Sequence, residues 1–301
     1  MPSSIGIRRL WRHLIPSSGC STRCGGTCLS LFECARRHSH RLRTLRSRLV
    51  PAVGLPGESR LLEGRVALVT GAGRGIGRGV ARALAASGAQ VMAVARTEAE
   101  LASLQAEIGG AYLAVSLIDE AGCSRAVEAT RTRLGHIDIL VNNAGDGDAS
   151  DGRAWEIDPA DWRAKLAVNV DAPFYLTRLV LPEMLAAGTG RIINIASTAG
   201  LVGGAEMATY VTSKHALVGF TRAVAIDAGA FGVTCNAICP GWVRTGSNEA
   251  PEDVWAERAA SYPPGRTVSV DEVAALVVYL ASDAAGGISG EAIRVALGST
   301  W

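Results

Sequence analysis

From Arg65 onward, short runs of β-branched and other apolar residues alternate with long helical stretches, which restricts the chain to repeated βα units around a parallel sheet. Seven strands are expected, at Val66 to Thr70, Gln90 to Ala95, Ala111 to Val115, Ile137 to Val141, Arg191 to Ile195, Val233 to Ile238 and Glu291 to Val295. Between them the pattern predicts helices over Gly77 to Ala86, Glu98 to Ile108, Ala121 to Leu134, Pro159 to Leu185, Thr209 to Ala230 and Asp271 to Ser282. Runs such as Val66-Ala67-Leu68-Val69 are apolar at consecutive positions, as strands must be when helices cover both faces of a sheet. The expected fold class is α/β, a single doubly wound domain over residues 61–301 with a seven-stranded parallel sheet.

Residues 1–60 read differently. They show neither helical nor strand periodicity, are interrupted by Pro16, Pro51 and Pro56, and carry eleven Arg against only Glu33 and Glu58. A basic, disordered extension is expected, dispensable to the domain; an organelle-targeting peptide is the alternative. The net charge of +2 hides this asymmetry, because the rest of the chain has nineteen basic against twenty-six acidic residues. A mildly acidic folded portion offers no concentrated basic face, which argues against a nucleic-acid partner. The longest apolar runs, such as Val273 to Ala281, are too short for a membrane span. Cys20, Cys24, Cys28 and Cys34 lie near His38 and His40, but their spacing is not that of paired zinc ligands, so no metal is assigned. Cys123, Cys235 and Cys239 read as small reduced residues of a cytoplasmic protein.

Directly after the first strand stands Thr70-Gly71-Ala72-Gly73-Arg74-Gly75-Ile76-Gly77. Glycines let the backbone turn tightly and approach a pyrophosphate, whose charge meets free N–H groups and the positive end of the helix dipole. A ligand-free β-to-α turn needs one or two glycines, not four in seven positions, so dinucleotide binding is expected.

Tyr210 and Lys214, four apart in a helical stretch, lie one turn from each other on one face. A free Tyr titrates near ~10, so acid/base work at neutrality requires stabilising its anion by roughly 4 kcal/mol. An ammonium within about 4–6 Å, helped by cofactor charge, acts in that direction. Ser197 closes the fifth strand, at the sheet edge where open α/β folds place ligands. Taken singly, each has a bland reading: a half-buried Tyr, a solvated Lys and a turn-forming Ser.

Together with the glycine loop, the pattern resembles the short-chain dehydrogenase/reductase family, of the 3-oxoacyl-acyl-carrier-protein-reductase-like kind, over nearly all of residues 62–297. The resemblance is carried by Thr70-Gly-x3-Gly-x-Gly77, Asn142-Asn143-Ala144-Gly145, Asn169, Ser197, Tyr210-x3-Lys214 and Pro240-Gly241 followed by Thr245. It implies a Rossmann-type homotetramer or homodimer that moves a hydride between NADP(H) or NAD(H) and a carbonyl or secondary alcohol. In it Tyr210 transfers the substrate proton and Ser197 orients the carbonyl. Lys214 would hold the nicotinamide ribose and lower the Tyr pKa, and Asn169 would anchor a water on the proton path. Gly71, Arg74, Gly75, Ile76 and Gly77 would cradle the pyrophosphate, and Leu117, Asn143, Ala144 and Gly145 would line the adenosine side. Pro240, Gly241, Val243 and Thr245 would face the nicotinamide. Two departures stand out: Ser116-Leu117 where many relatives carry Asp, and a C-terminus from Ala296 to Trp301 that lacks the frequent Asp-Gly-Gly.

At the end of the second strand Ala95-Arg96 replaces the acid with which NAD-selective enzymes hold a ribose 2′-hydroxyl. Arg presents a planar fork of donors suited to a 2′-phosphate, so NADP(H) is the preferred cofactor, with Arg74 as a second cation. Trp242 to Arg266 falls where the family places a mobile substrate lid, and Gly203, Gly204 and Ala205 leave room for a substrate of moderate size. Three function classes follow: an active carbonyl reductase or alcohol dehydrogenase, favoured by the intact Asn169, Ser197, Tyr210 and Lys214 set; a catalytically weak cofactor-binding regulator; and an interaction protein using residues 8–48.

Overall fold

The computed structural model describes residues 61–299 apart from 149, 150 and 247. The basic extension, its four cysteines and the organelle-targeting alternative lie outside the described residues. In chain order the elements are β1 (Val66–Thr70), α1 (Gly75–Ala86), β2 (Gln90–Ala95), α2 (Glu98–Ile108), β3 (Ala111–Ala114), α3 (Glu120–Leu134), β4 (Ile139–Asn142) and α4 (Pro159–Leu166). A π turn (Ala167–Asp171) then leads into α5 (Ala172–Ala187), β5 (Gly190–Ile195), α6 (Ala208–Gly229), β6 (Val233–Pro240), α7 (Glu252–Ala260), α8 (Val270–Ala281) and β7 (Ala292–Val295).

All seven strands pair in parallel in the order β3-β2-β1-β4-β5-β6-β7. Successive residues of β1 face opposite helical layers, as the two-residue period requires. Ala67 and Val69 join Val80 and Leu84 of α1, Leu101 of α2 and Val277 of α8, whereas Leu68 joins Val127 of α3 and Leu176 and Val180 of α5. Strand order reverses between β1 and β4, and at such a switch point the loops at the carboxyl ends diverge and open a crevice.

Two expectations need correction. The single helix from Pro159 to Leu185 is instead α4, the π turn and α5, and the turn holds Asn169, a buried residue whose amide is fully engaged inward. π bulges recur where a functional side chain is re-aimed. The segment Trp242 to Arg266, for which no helix was expected, contains α7, whose start signals are present in the sequence: Pro251 before Glu252 and Asp253, with Arg258 in the last turn.

Candidate active site

The glycine loop is built by contacts that leave no space for side chains. Gly71 and Gly75 have φ of 64° and 57°, in the left-handed region that favours glycine. A Cβ on Gly77 would stand 2.2 Å from the Gly71 carbonyl oxygen, so the first turn of α1 can pack against the loop only without one. Asn143 donates through Nδ2 to the carbonyls of Thr70 at 2.9 Å and Gly71 at 3.2 Å. Thr70 Oγ1 accepts from the N–H groups of Asn143 and Ala144, each at 3.0 Å, and donates to Val141 O. The Asn143 amide therefore faces the loop and acts on the cradle through Gly71.

The residues present fit a dinucleotide. α1 has no side-chain cap and no acidic residue in its first turn, so the N–H groups of Gly75, Ile76 and Gly77 lack partners within the helix and suit a phosphate. Arg78 ties the loop down from below, donating to the carbonyls of Gly73 and Glu100 and pairing with Glu107. Arg74 and Arg96 are exposed, and neither guanidinium pairs with a described carboxylate. Leu117 packs its side chain into the core beside Met92, Val94 and Cys123.

On the other side of the crevice the four chemistry-bearing residues come together from β5, α6 and the π turn. Ser197 stands beside the Tyr210 hydroxyl and acts to lower its pKa, and Ser197 Oγ accepts from Ala199 N–H at 3.1 Å. Lys214 is buried, donates to Ile195 O at 3.1 Å and stands 5.7 Å from the Tyr210 ring centre. Asn169 accepts from Asp146 N–H at 2.8 Å and donates to Asp146 O and to Ser213 Oγ at 3.1 and 3.0 Å. Gly145 closes the group: a Cβ there would lie 2.8 Å from Asn169 Oδ1 and 3.7 Å from Lys214 Nζ.

The expected electrostatics are reversed within the chain by itself. Burial pushes the Tyr210 hydroxyl above its ordinary pKa, against the lowering effect of Ser197, and the Asp146 carboxylate adds to the rise. Burial also holds Lys214 down to about 8, although Cys239 and Asp146 act to raise it. Desolvation disfavours both charged forms, and the expectation weighed the ammonium and the cofactor charge but not burial.

Beyond the crevice, Asn248 Oδ1 accepts from Thr245 N and Oγ1 at 2.8 and 2.9 Å, while its amide donates to Val243 O at 2.8 Å. Tyr262 lies under Gly241, where its hydroxyl accepts from Trp242 N–H at 2.6 Å and a Cβ on Gly241 would stand only 2.2 Å from the Tyr oxygen. Neither strut was visible in the sequence, since each depends on a loop folding back on itself. Arg258 lies 3.9 Å over the Trp242 ring and 4.7 Å over that of Trp255.

A family model described as enoyl-(acyl carrier protein) reductase matches residues 71–300. The D-beta-hydroxybutyrate dehydrogenase of Cupriavidus necator is 39% identical over 249 residues, covering 76% of this chain and 95% of that protein. The 3-oxoacyl-[acyl-carrier-protein] reductase of Salmonella typhimurium is 36% identical over 236 residues, 77% of this chain and 96% of that protein. Among solved structures, an actinorhodin polyketide ketoreductase variant with NADPH superposes with a TM-score of 0.74 at 35% identity, over 78% of this chain and 96% of that one. Levodione reductase gives 0.74 at 30% identity over 78% and 97%. Sequence, sheet order and relatives agree that the chain belongs to the short-chain dehydrogenase/reductase family, as a 3-oxoacyl-acyl-carrier-protein-reductase-like oxidoreductase of carbonyl and alcohol groups working with a nicotinamide dinucleotide.

Proposed function

We propose that the chain reduces a ketone with NADPH, or runs the reverse oxidation, using Tyr210 as the group that passes the proton to or from the substrate oxygen. The observation that carries this reading is the convergence of Tyr210, Ser197 and the buried Lys214, whose ammonium stands 5.7 Å from the Tyr210 ring centre and donates to Ile195 O at the carboxyl end of β5. When bound, the nicotinamide supplies or accepts the hydride. Ser197 Oγ holds the substrate oxygen against Tyr210, and the Lys214 ammonium favours the tyrosinate left when the proton departs. Asn169 reaches Tyr210 O through Ser213 Oγ, and would anchor a water on the proton path. Gly71, Gly75, Ile76 and Gly77 cradle the pyrophosphate, with Ala144, Gly145, Pro240, Gly241, Val243 and Thr245 along the remaining length of the cofactor.

Preference for NADP(H) is supported by Arg96 and Arg74, exposed and free of described carboxylate partners at the end of β2 and in the loop. Two of the relatives are named for a 3-hydroxy acid and a 3-oxoacyl thioester. Ketones with the carbonyl β to a carboxyl or thioester are therefore the first substrates to assay. A cytoplasmic setting is supported by Cys123, Cys235 and Cys239, which are free and buried, and a homotetramer or homodimer by Phe174, Ile226 and Phe231, which stay exposed.

The test is steady-state turnover of the purified chain over such a ketone panel with each cofactor. Tyr210→Phe should lower kcat by about 10²–10⁴-fold with little change in NADPH affinity. Near-normal kcat in that variant would sink the assignment of Tyr210. Arg96→Ala should cut the NADPH preference, and a parent already favouring NADH tenfold would overturn the cofactor reading.

A further inference from the structure

The loop between β4 and α4 ends in an ion pair that the proton and hydride steps leave unused. The side chains of Asp151 and Lys165 are only 4% and 10% exposed and lie in direct hydrogen-bonded contact. Lys165 also donates to Asp148 O at 2.7 Å, and it stands in α4 four residues before Asn169. The second carboxylate oxygen of Asp151 accepts from the backbone N–H of Tyr210 at 2.8 Å.

That acceptor answers a local need. Tyr210 is the third residue of α6, so its N–H has no partner within the helix, and Met207 at the helix start supplies no side-chain cap. A carboxylate is the favoured partner at this positive end of the dipole. Burying one is costly unless a cation accompanies it, and Lys165 provides that cation from α4. Backbone contacts fasten the same junction: Asp151 N donates to Glu206 O at 2.9 Å, and Gly152 bridges to Met207.

The far side of the Tyr210 peptide is held as well. Ser213 Oγ donates to Tyr210 O at 2.8 Å and accepts from Asn169 Nδ2 at 3.0 Å. The loop thus reaches Asn169 through Asp146, Lys165 through Asp148 and Asp151, and Tyr210 through Asp151. We propose that Asp151 and Lys165 are positioning residues: their buried pair fixes the first turn of α6, and with it the Tyr210 hydroxyl, relative to Asn169 and the substrate oxygen. This rests on the reading of Tyr210 as the proton-transferring group.

The test compares two double variants and one single variant of the full chain. D151N/K165M keeps an oxygen acceptor for Tyr210 N–H without buried charge, whereas D151A/K165M removes the acceptor. In D151A/K165M, NADPH binding followed by fluorescence should stay within about threefold of the parent, while kcat falls by about 10–100-fold, the range a misplaced reacting group produces. Amide exchange in the segment 206–214 should quicken roughly tenfold as the local opening energy drops. D151N/K165M should recover both readouts to within about threefold. Should D151A/K165M not fold, Asp151→Glu moves the acceptor by one methylene with the charge retained, and should lower kcat about tenfold at unchanged KM. Parent-like kcat or exchange in D151A/K165M overturns the proposal, as does failure of D151N/K165M to recover, or parent-like kcat in Asp151→Glu. Parent-like kcat in Tyr210→Phe overturns the acid/base reading instead, and the exchange comparison then decides by itself whether Asp151 holds Tyr210.

Discussion

Lys214 has its ammonium in a place that resists charge. It is buried, donates to Ile195 O, and burial brings its pKa from 10.5 to about 8. The sign for stability follows directly. The unfolded chain keeps this proton up to about 10.5 while the folded chain releases it near 8, so protein without cofactor gains stability as pH rises between those values. Lys214→Met should therefore stabilise the cofactor-free protein at pH 7 by on the order of 1–3 kcal/mol, and by less at pH 9.5. Denaturant midpoints of both proteins at the two pH values check this; a gain independent of pH would show that the charge is not what burial penalises. The spacing of Tyr210 and Lys214 was legible because it is local to one helix, whereas the desolvation that moves both pKa values comes from β5, β6 and the loop after β4.

Helix α8 shows how an element distant from the chemistry supports the cofactor end. It packs on α1 so closely that a Cβ on Gly79 would lie 2.1 Å from Val270 Cγ1. Its start is a capping box, with Ser269 Oγ accepting from Glu272 N–H at 3.1 Å and Glu272 accepting from Ser269 N–H at 2.8 Å. Ser269→Ala should cost about 1 kcal/mol of stability, read as a lower denaturant midpoint. Hydrogen bonds from Arg266, and then from Ser269, hold the Glu272 carboxyl down to about 2 from 4.5. A depressed carboxylate stabilises above its unfolded pKa, so the gap between the parent and Glu272→Gln should be present at pH 7 and close as pH falls from about 4.5 to about 2. Solvent screening keeps that gap small.

For the whole molecule, the two edges of the sheet have separate work. The carboxyl edge carries the crevice, while the amino edge is tied by Arg65 to Asp138 and Asp283, and by Arg191, which donates to Ser282 O, Gly190 O and Asp283. The relatives, matched over 95% and 96% of their own lengths, align to 76% and 77% of this chain. Deletion of residues 1–57 should leave kcat/KM within about twofold and the thermal midpoint unchanged, since every strand of the sheet and every residue assigned to the site lies after that segment. An insoluble or inactive truncated protein would contradict this.

Strand runs, helical stretches, the glycine loop and the Tyr210/Lys214 spacing were determined by the sequence alone, because backbone period and turn sterics act over a few neighbouring residues. Helix α7 was missed, although its start signals, Pro251 and the acidic turn after it, stand in the sequence. Only the tertiary structure decided the rest. Asp151 reaches Tyr210 across 59 residues and Asn169 reaches Ser213 across 44, and no local rule specifies which loop meets which helix end. The π turn at Asn169 and the opposed pKa shifts have the same origin, for both are set by what encloses a side chain in three dimensions rather than by what precedes it in the chain.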